Sequence, residues 1–110
     1  MAGQLNRGDV WMYAFRHPDK VRPVLILTRQ EVIPLLHTVM VAPITSTLRG
    51  APSEVILGID EGLKHDSAAN LDHVQTVGKR GLQRRLGQVG AAKMRAVCRA
   101  LAIAAGCSSG

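Results

Sequence analysis

The length, composition and charge of the chain narrow its class before any motif is considered. Its 110 residues are enough for one domain with one modest core. The 14 Lys and Arg residues against 8 Asp and Glu give a net charge of +6, which favours a polyanionic partner. Aromatic residues make up only 3% of the chain, which excludes a row of stacking aromatics as the means of holding nucleic acid. Neither a signal-peptide pattern nor a run of about 20 apolar residues is present, so we expect a cytoplasmic protein with reduced thiols and no membrane partner.

The first half of the chain predicts three strands. Residues 8–15 (GDVWMYAF) open with a Gly-Asp turn signal and continue as an apolar run. Residues 21–28 (VRPVLILT) predict a second strand that is apolar on both faces, so a barrel interior would cover one face and a helix or a second subunit the other. Residues 28–36 are ambiguous and are compatible with a short helical turn that stops before Pro34. Residues 37–44 (HTVMVAPI) predict the third strand.

The second half of the chain predicts further short strands separated by turns. A polar loop with Gly and Pro occupies 45–52, and a fourth strand follows at 53–58 (SEVILG). Residues 67–78 (SAANLDHVQTVG) predict one or two strands with a break between them. A basic turn then leads into a short strand around Leu86 to Val89.

The C-terminal segment 91–106 predicts a helix that ends at Gly106. Five residues recur at helical spacing and are expected to cover the sheet: Met94, Val97, Cys98, Leu101 and Ala105. If this stretch is helical, Cys98 and Cys107 lie about 13 Å apart, too far for a disulfide. The predicted fold class is mainly β with a C-terminal α-helix, a small antiparallel barrel in one domain, 1–110, with flexible ends at 1–6 and 107–110.

The sequence lacks the motifs of metal or nucleotide chemistry. Its four histidines, His17, His37, His65 and His73, never occur at the paired spacing of zinc ligands. A Gly-rich phosphate loop and a nucleophile elbow are also absent from the sequence. We therefore predict neither a metal nor a cofactor.

Polar residues at the ends of buried strands are the remaining candidates for a site. Arg22 stands where a charged loop enters the apolar run, Thr45 and Ser46 stand where the third strand becomes a loop, and Asp72 interrupts the apolar LDHV. Such positions are both rigid and exposed, as a site requires. The structural alternative is a pair of turn formers and an arginine whose stem lies along the core.

Two segments carry a family resemblance, RPVLILT (22–28) and VAPITST (41–47), in this order and with this separation. The sequence resembles the MazF/PemK/Kid family of toxin endoribonucleases over nearly its full length. The resemblance implies a helix-capped, SH3-like barrel of the MazF/Kid/CcdB type and a homodimer with grooves for single-stranded RNA at the subunit interface. It also implies sequence-specific cleavage of RNA without metal, leaving a 2′,3′-cyclic phosphate, which inhibits translation. An acidic, MazE-like antitoxin would block the groove.

The same resemblance assigns roles to three residues. Arg22 matches the catalytic arginine of the family. Its planar guanidinium group can donate two parallel hydrogen bonds to phosphate oxygens and so stabilise the negative charge of a phosphorane. Thr45 matches the catalytic threonine, and Asp72 matches an acid proposed as the base in some members. Asn70 replaces an arginine found two residues before that acid in some relatives, and Gln75 replaces the arginine of a common Arg-Thr pair. We therefore favour an orienting role for Asp72.

Further residues are candidates for binding RNA because of charge or position. His17 and His65 are also alternative proton-transfer groups, since imidazole titrates near neutrality. A run of like charge can equally be a solvated face. The predicted RNA-binding set comprises His17, Lys20, Ser46, Thr47, Arg49, His65, Asn70, Lys79 and Arg80, with Arg84 and Arg85 completing the basic cluster around Lys79.

Two other functions fit the charge and the fold. A nucleic-acid-binding module without catalysis would need the same basic surface. A gyrase-poisoning toxin on the same barrel would act through its C-terminal helix and would not need Arg22 and Thr45 at one cleft.

Overall fold

The computed structural model describes residues 5–16 and 20–107, in which most of the chain forms antiparallel sheet followed by one helix. Four 3-10 turns separate some of these elements, at Gln30–Leu35, Ile59–Glu61, Leu71–His73 and Lys79–Gly81. The strands and the helix are β1 (Asp9–Ala14), β2 (Val21–Ile26), β3 (Thr38–Thr45), β4 (Glu54–Leu57), β5 (Ser67–Asn70), β6 (Gln75–Gly78), β7 (Leu82–Gln88) and α1 (Ala91–Ala104). The prediction of a mainly β protein with a C-terminal helix is confirmed.

Strand β3 is the centre of the sheet. The strand order is β4-β5-β3-β2-β1-β7, and β6 also pairs with β3, so β3 has β2 on one side and β5 and β6 on the other. The break predicted within 67–78 is the 3-10 turn Leu71–His73, which divides this side of β3 between β5 and β6.

Both faces of β2 are buried, as its apolar sequence predicts. Leu25 packs in a core cluster with residues of α1, including Val97, while Val24 and Ile26 pack in a second cluster on the opposite face. The second cluster is completed from within the same chain, by Leu5, Trp11, Tyr13, Ile33, Val39 and Val41. A second subunit is therefore not required to cover this face, so the apolar character of β2 by itself gives no argument for a dimer.

The N-terminal segment is packed from Leu5 onwards. The Leu5 side chain belongs to the second cluster, and the Asn6 amide donates to Asp9 Oδ2 at 2.9 Å. Both residues belong to the stretch 1–6 that was predicted to be a flexible end; residues 1–4 and 108–110 lie outside the described part of the chain.

Two element boundaries differ from prediction. The turn Gln30–Leu35 continues through Pro34, because a short 3-10 turn uses few backbone donors and the missing N–H of proline costs it little. Strand β7 begins at Leu82 rather than near Leu86, because Leu82 already pairs with Tyr13 of β1. Its charged residues are accommodated because β7 is an outer strand of the sheet, where charged side chains reach solvent.

The buried face of α1 is rotated relative to the prediction. Val97 and Ala100 are buried, whereas Cys98 is exposed and its sulfur accepts a hydrogen bond from Arg7 at 3.2 Å. The helix ends before Gly106, whose φ of +73° is the left-handed conformation expected of a C-terminal stop. Both cysteines are free, as predicted. Among the described residues, no helix is long and apolar enough to cross a bilayer.

The turn Ile59–Glu61 is docked on β7 through backbone contact. A Cβ atom at Gly62, where φ is +90°, would lie 2.1 Å from the Leu86 carbonyl oxygen, and one at Gly87 would lie 2.4 Å from the Glu61 carbonyl oxygen. The buried Glu61 side chain accepts from the Gly58 amide at 2.6 Å and from Lys93 Nζ of α1 at 3.0 Å. The turn is thereby fixed to both β7 and α1.

Replacing Gly62 by alanine tests this docking. We expect Gly62→Ala to lower the free energy of unfolding by about 3 kcal/mol, since overpacking and a left-handed conformation each cost about 1–3 kcal/mol. Gly78→Ala is the matched control, because nothing lies within 4 Å of its Cβ position. Urea denaturation measures both, and equal stability of the two variants would contradict the proposed contact.

Candidate functional site

The pairing of β2 with β3 places Arg22 and Thr45 at the same end of the two strands. Val24 pairs with Pro43 and Leu25 with Ala42 in an antiparallel register. The ladder ends at this first pair, and Arg22 lies two residues before Val24 on β2 while Thr45 lies two residues after Pro43 on β3. Two residues that are 23 positions apart in sequence thus lie at the same end of the β2–β3 ladder.

Both residues line one cavity of about 460 Å³. Three of its lining residues are neighbours across adjacent strands. Met12 of β1 pairs with Pro23 of β2 on one side and with Arg84 of β7 on the other. The lining residues are Met12, Arg22, Pro23, Ile44, Thr45, Ser46, Gly62, Leu63, Lys64, His65, Ser67, Arg84 and Leu86.

The polar part of the cavity is basic. Arg22, Lys64, His65 and Arg84 line it and are all exposed to solvent, and no carboxylate lines it among the residues that the structure describes. Guanidinium groups bind phosphate oxygens through two parallel hydrogen bonds, and a lysine adds a point charge. The cavity is therefore suited to an anion with several oxygens, such as a phosphodiester.

Thr45 is held so that its hydroxyl can serve a ligand. The side chain is half-buried, and its Oγ1 accepts a hydrogen bond from the Thr47 amide at 3.1 Å. The Thr47 amide occupies one lone pair of this oxygen and leaves the hydroxyl hydrogen free. The Thr45 hydroxyl can therefore donate a hydrogen bond to a ligand. Ser46, the next residue, is exposed and also lines the cavity.

Asp72 does not line this cavity. It is exposed in the turn Leu71–His73, where its Oδ2 accepts from Ser53 Oγ at 2.5 Å and its amide donates to Asn70 Oδ1 at 2.9 Å. Asn70 pairs with Glu54 at one end of the β4–β5 ladder. Ser67, which lines the cavity, lies at the other end of this ladder. The structure therefore places Asp72, which the family resemblance groups with Arg22 and Thr45, outside the cavity that those two residues line.

The four residues of the predicted basic cluster do not share one site. Arg84 lines the cavity, whereas Arg85 Nε lies 3.2 Å from Oδ1 of the fully buried Asp9 and Lys79 Nζ donates to the Ile33 carbonyl. Arg80 is exposed and is not a lining residue. These residues are separated because Lys79 and Arg80 belong to the 3-10 turn Lys79–Gly81, whereas Arg84 and Arg85 belong to strand β7. Successive side chains of a strand point to opposite faces of the sheet, so Arg84 and Arg85 are also separated from each other.

The remaining described residues of the predicted RNA-binding set do not line the cavity. The Arg49 amide donates to Glu54 Oε1 at 3.1 Å, and Thr47 is exposed in the same loop. The Lys20 carbonyl accepts from the Phe15 amide at 2.9 Å and so connects β1 to β2. His17 belongs to residues 17–19, which lie outside the described part of the chain.

The structure adds residues that the sequence did not single out. Lys64 lies in a segment whose sequence predicts only a turn. Its position next to the candidate residue His65 was the one sequence feature that could have indicated a place in the site. Its position in the cavity depends on the docking of Gly62 against Leu86, which no local pattern reveals. Within 5–16 and 20–107, no three His, Cys, Asp or Glu residues are grouped as ligands for a metal.

The chain belongs to the PemK-like, MazF-like toxin family of type II toxin–antitoxin systems, whose model matches residues 6–105. It is 43% identical over 104 residues to "Probable endoribonuclease MazF5" of Mycobacterium tuberculosis, covering 93% of this chain and 94% of that protein. It is also 43% identical over 83 residues to "Endoribonuclease MazF3" of the same species, covering 76% and 81%. A solved mycobacterial endoribonuclease in complex with its cognate antitoxin superposes with a TM-score of 0.85 at 28% identity, covering 97% of this chain and 100% of that one.

These similarities confirm the family and the MazF-like toxin fold that the sequence predicts. They favour the endoribonuclease over the two alternatives, because the curated relatives at 43% identity are named as endoribonucleases. A shared barrel alone would not distinguish the three functions.

Proposed function

We propose that the cavity lined by Arg22 and Thr45 is the active site of a MazF-type toxin endoribonuclease that cuts single-stranded RNA without metal. The observation that carries this proposal is the basic cavity itself, which Arg22 and Thr45 both line and in which no described carboxylate is present to hold a metal. We place the reaction in the cytoplasm, where messenger RNA would be cut at specific sequences and translation would stop.

The reaction uses the 2′-hydroxyl of the RNA as the nucleophile. Its oxygen attacks the adjacent phosphorus, the bond to the 5′-oxygen breaks, and the products carry a 2′,3′-cyclic phosphate and a 5′-hydroxyl. The enzyme has to align the attacking oxygen and stabilise the charge that develops on the phosphorane. Arg22 supplies a bidentate contact to two non-bridging oxygens, and the Thr45 hydroxyl donates to one of them.

Cleavage in the presence of EDTA tests the proposal. Purified protein should cut a long single-stranded RNA at full rate with excess chelator. The new 5′-ends should accept phosphate from polynucleotide kinase without prior dephosphorylation, because they carry hydroxyl groups. Intact RNA, or cleavage that stops in EDTA and returns with Mg²⁺, would contradict the proposal.

Substitution of the two central residues tests their roles. Arg22→Ala and Thr45→Ala should each reduce the cleavage rate at least about 100-fold, because one charge-stabilising donor contributes about 10²–10³ in rate. Arg22→Lys should also be impaired, since lysine keeps the charge but loses the bidentate fork. Arg95→Ala is the control, since Arg95 is exposed on α1 and does not line the cavity. Full activity of a folded Arg22 or Thr45 variant would remove that residue from the mechanism.

Substitution of Asp72 separates a base from a structural group. Because Asp72 lies outside the cavity and binds Ser53, we expect Asp72→Asn to change the cleavage rate less than about tenfold and to leave the pH profile unaltered. Rate constants across a pH series measure both quantities. A loss of 10²-fold or more with an altered acid limb would restore Asp72 as the base.

Two protein partners belong to the proposal. An acidic, MazE-like antitoxin would occupy the same basic cavity, so an acidic antitoxin peptide should compete with RNA, and binding of both should weaken as salt rises. Simultaneous binding of peptide and RNA would contradict a shared groove.

A homodimer is proposed from the family and from exposed Leu48, Ile56 and Ile59 in and around the outer strand β4. Light scattering that gives the monomer mass of 11.8 kDa at micromolar concentration would reject it.

A further inference from the structure

We infer that His65 is the general base that removes the proton from the 2′-hydroxyl in this cavity. The inference rests on the proposed ribonuclease function and adds to it the proton acceptor that Arg22 and Thr45 do not supply. It concerns a residue of the segment between β4 and β5, which reads as an ordinary turn in the sequence.

The backbone around His65 is fixed by neighbouring elements. Gly62 rests on the Leu86 carbonyl of β7, and Glu61 is tied to Lys93 of α1. On the other side, the buried Ser67 side chain donates from Oγ to the His65 carbonyl at 3.2 Å. A catalytic group needs this kind of support, because its geometry has to be set before the substrate arrives.

The hydrogen bond of the imidazole ring selects a tautomer suited to a base. His65 Nδ1 lies 3.2 Å from the Asp66 carbonyl oxygen, which can only accept, so Nδ1 carries the proton in this contact. In the neutral ring, Nε2 is then the nitrogen with a free lone pair. Since His65 is exposed and lines the cavity, Nε2 is accessible to a substrate hydroxyl.

The other charged groups of the cavity cannot take this role. Guanidinium and ammonium groups donate hydrogen bonds but have no acceptor lone pair, which excludes Arg22, Lys64 and Arg84 in their charged forms. The carboxylate proposed by family resemblance, Asp72, lies outside the cavity and accepts from Ser53. Among the described lining residues, His65 is the one side chain whose neutral form has a basic ring nitrogen with a free lone pair.

The proton balance of the step is complete with water as the only co-reactant. The 2′-O–H bond breaks and its proton goes to Nε2 of His65, while the 2′-oxygen forms a bond to phosphorus. The bond from phosphorus to the 5′-oxygen breaks, and that oxygen takes a proton from water. The imidazolium then returns its proton to water, so the net result is the transfer of one proton from the 2′-oxygen to the 5′-oxygen.

Rate measurements on His65→Ala and His65→Gln test the inference. We expect kcat to fall about 10²–10⁴-fold with KM nearly unchanged, since general base catalysis contributes that factor. In the wild-type protein the rate should fall tenfold per pH unit on the acid side of the pH profile, because protonation of the base removes its lone pair. This acid limb should be lost in both variants, and added imidazole should partly restore His65→Ala. His73→Gln is the matched control, because His73 is an exposed histidine that does not line the cavity.

The outcomes separate this inference from the proposed function. If wild-type protein cleaves RNA but His65→Ala keeps the rate and the acid limb, His65 is not the base although the ribonuclease stands. A rise in KM alone, with kcat and the pH profile unchanged, would also overturn the inference, because it would show a binding role only. If the wild-type protein cleaves no RNA, the proposed function itself fails.

Discussion

The pairing of β2 with β3 is the constraint on which the site depends. Residues 24–27 are buried in succession and divide between two core clusters on opposite faces. Burial of each such side chain contributes about 1.5–3 kcal/mol, and a slip of one residue would exchange the two faces. The register is thus determined by packing, and Arg22 and Thr45, which follow from it at the strand ends, need no contact of their own to be brought together.

The opposite wall of the cavity depends on α1 and β7. Gly62 and Gly87 allow the turn Ile59–Glu61 to touch β7, and a bulkier residue at either position would push the two backbones apart. The buried Glu61 carboxylate requires a partner, which Lys93 provides from α1. The helix therefore covers the core and also supports the turn that leads to Lys64 and His65.

The sequence predicts those features that arise from a regular pattern. The apolar runs gave β1 to β4 nearly to their ends, and helical spacing gave α1, although the burial of Ala100 rather than Cys98 shows that the helix face was misjudged by a fraction of a turn. Of the candidate site, Arg22 and Thr45 were singled out in the sequence by a family motif, and the structure places both in one cavity. The division of the basic cluster, the exclusion of Asp72 and the approach of Lys64 were not predictable, because each depends on contact between segments that are distant in sequence.

The charge of the cavity links catalysis to inhibition. Arg22, Lys64 and Arg84 line one small space with no described carboxylate among them, so their mutual repulsion is relieved when an anion enters. A phosphodiester does so, and an acidic peptide segment does so equally well. Under the proposed function, the features that would stabilise a phosphorane are the same features that would attract an acidic inhibitor, so a lower affinity for one would also mean a lower affinity for the other. The proposed mechanism and the proposed acidic antitoxin are therefore linked by one physical property, the positive charge of the cavity.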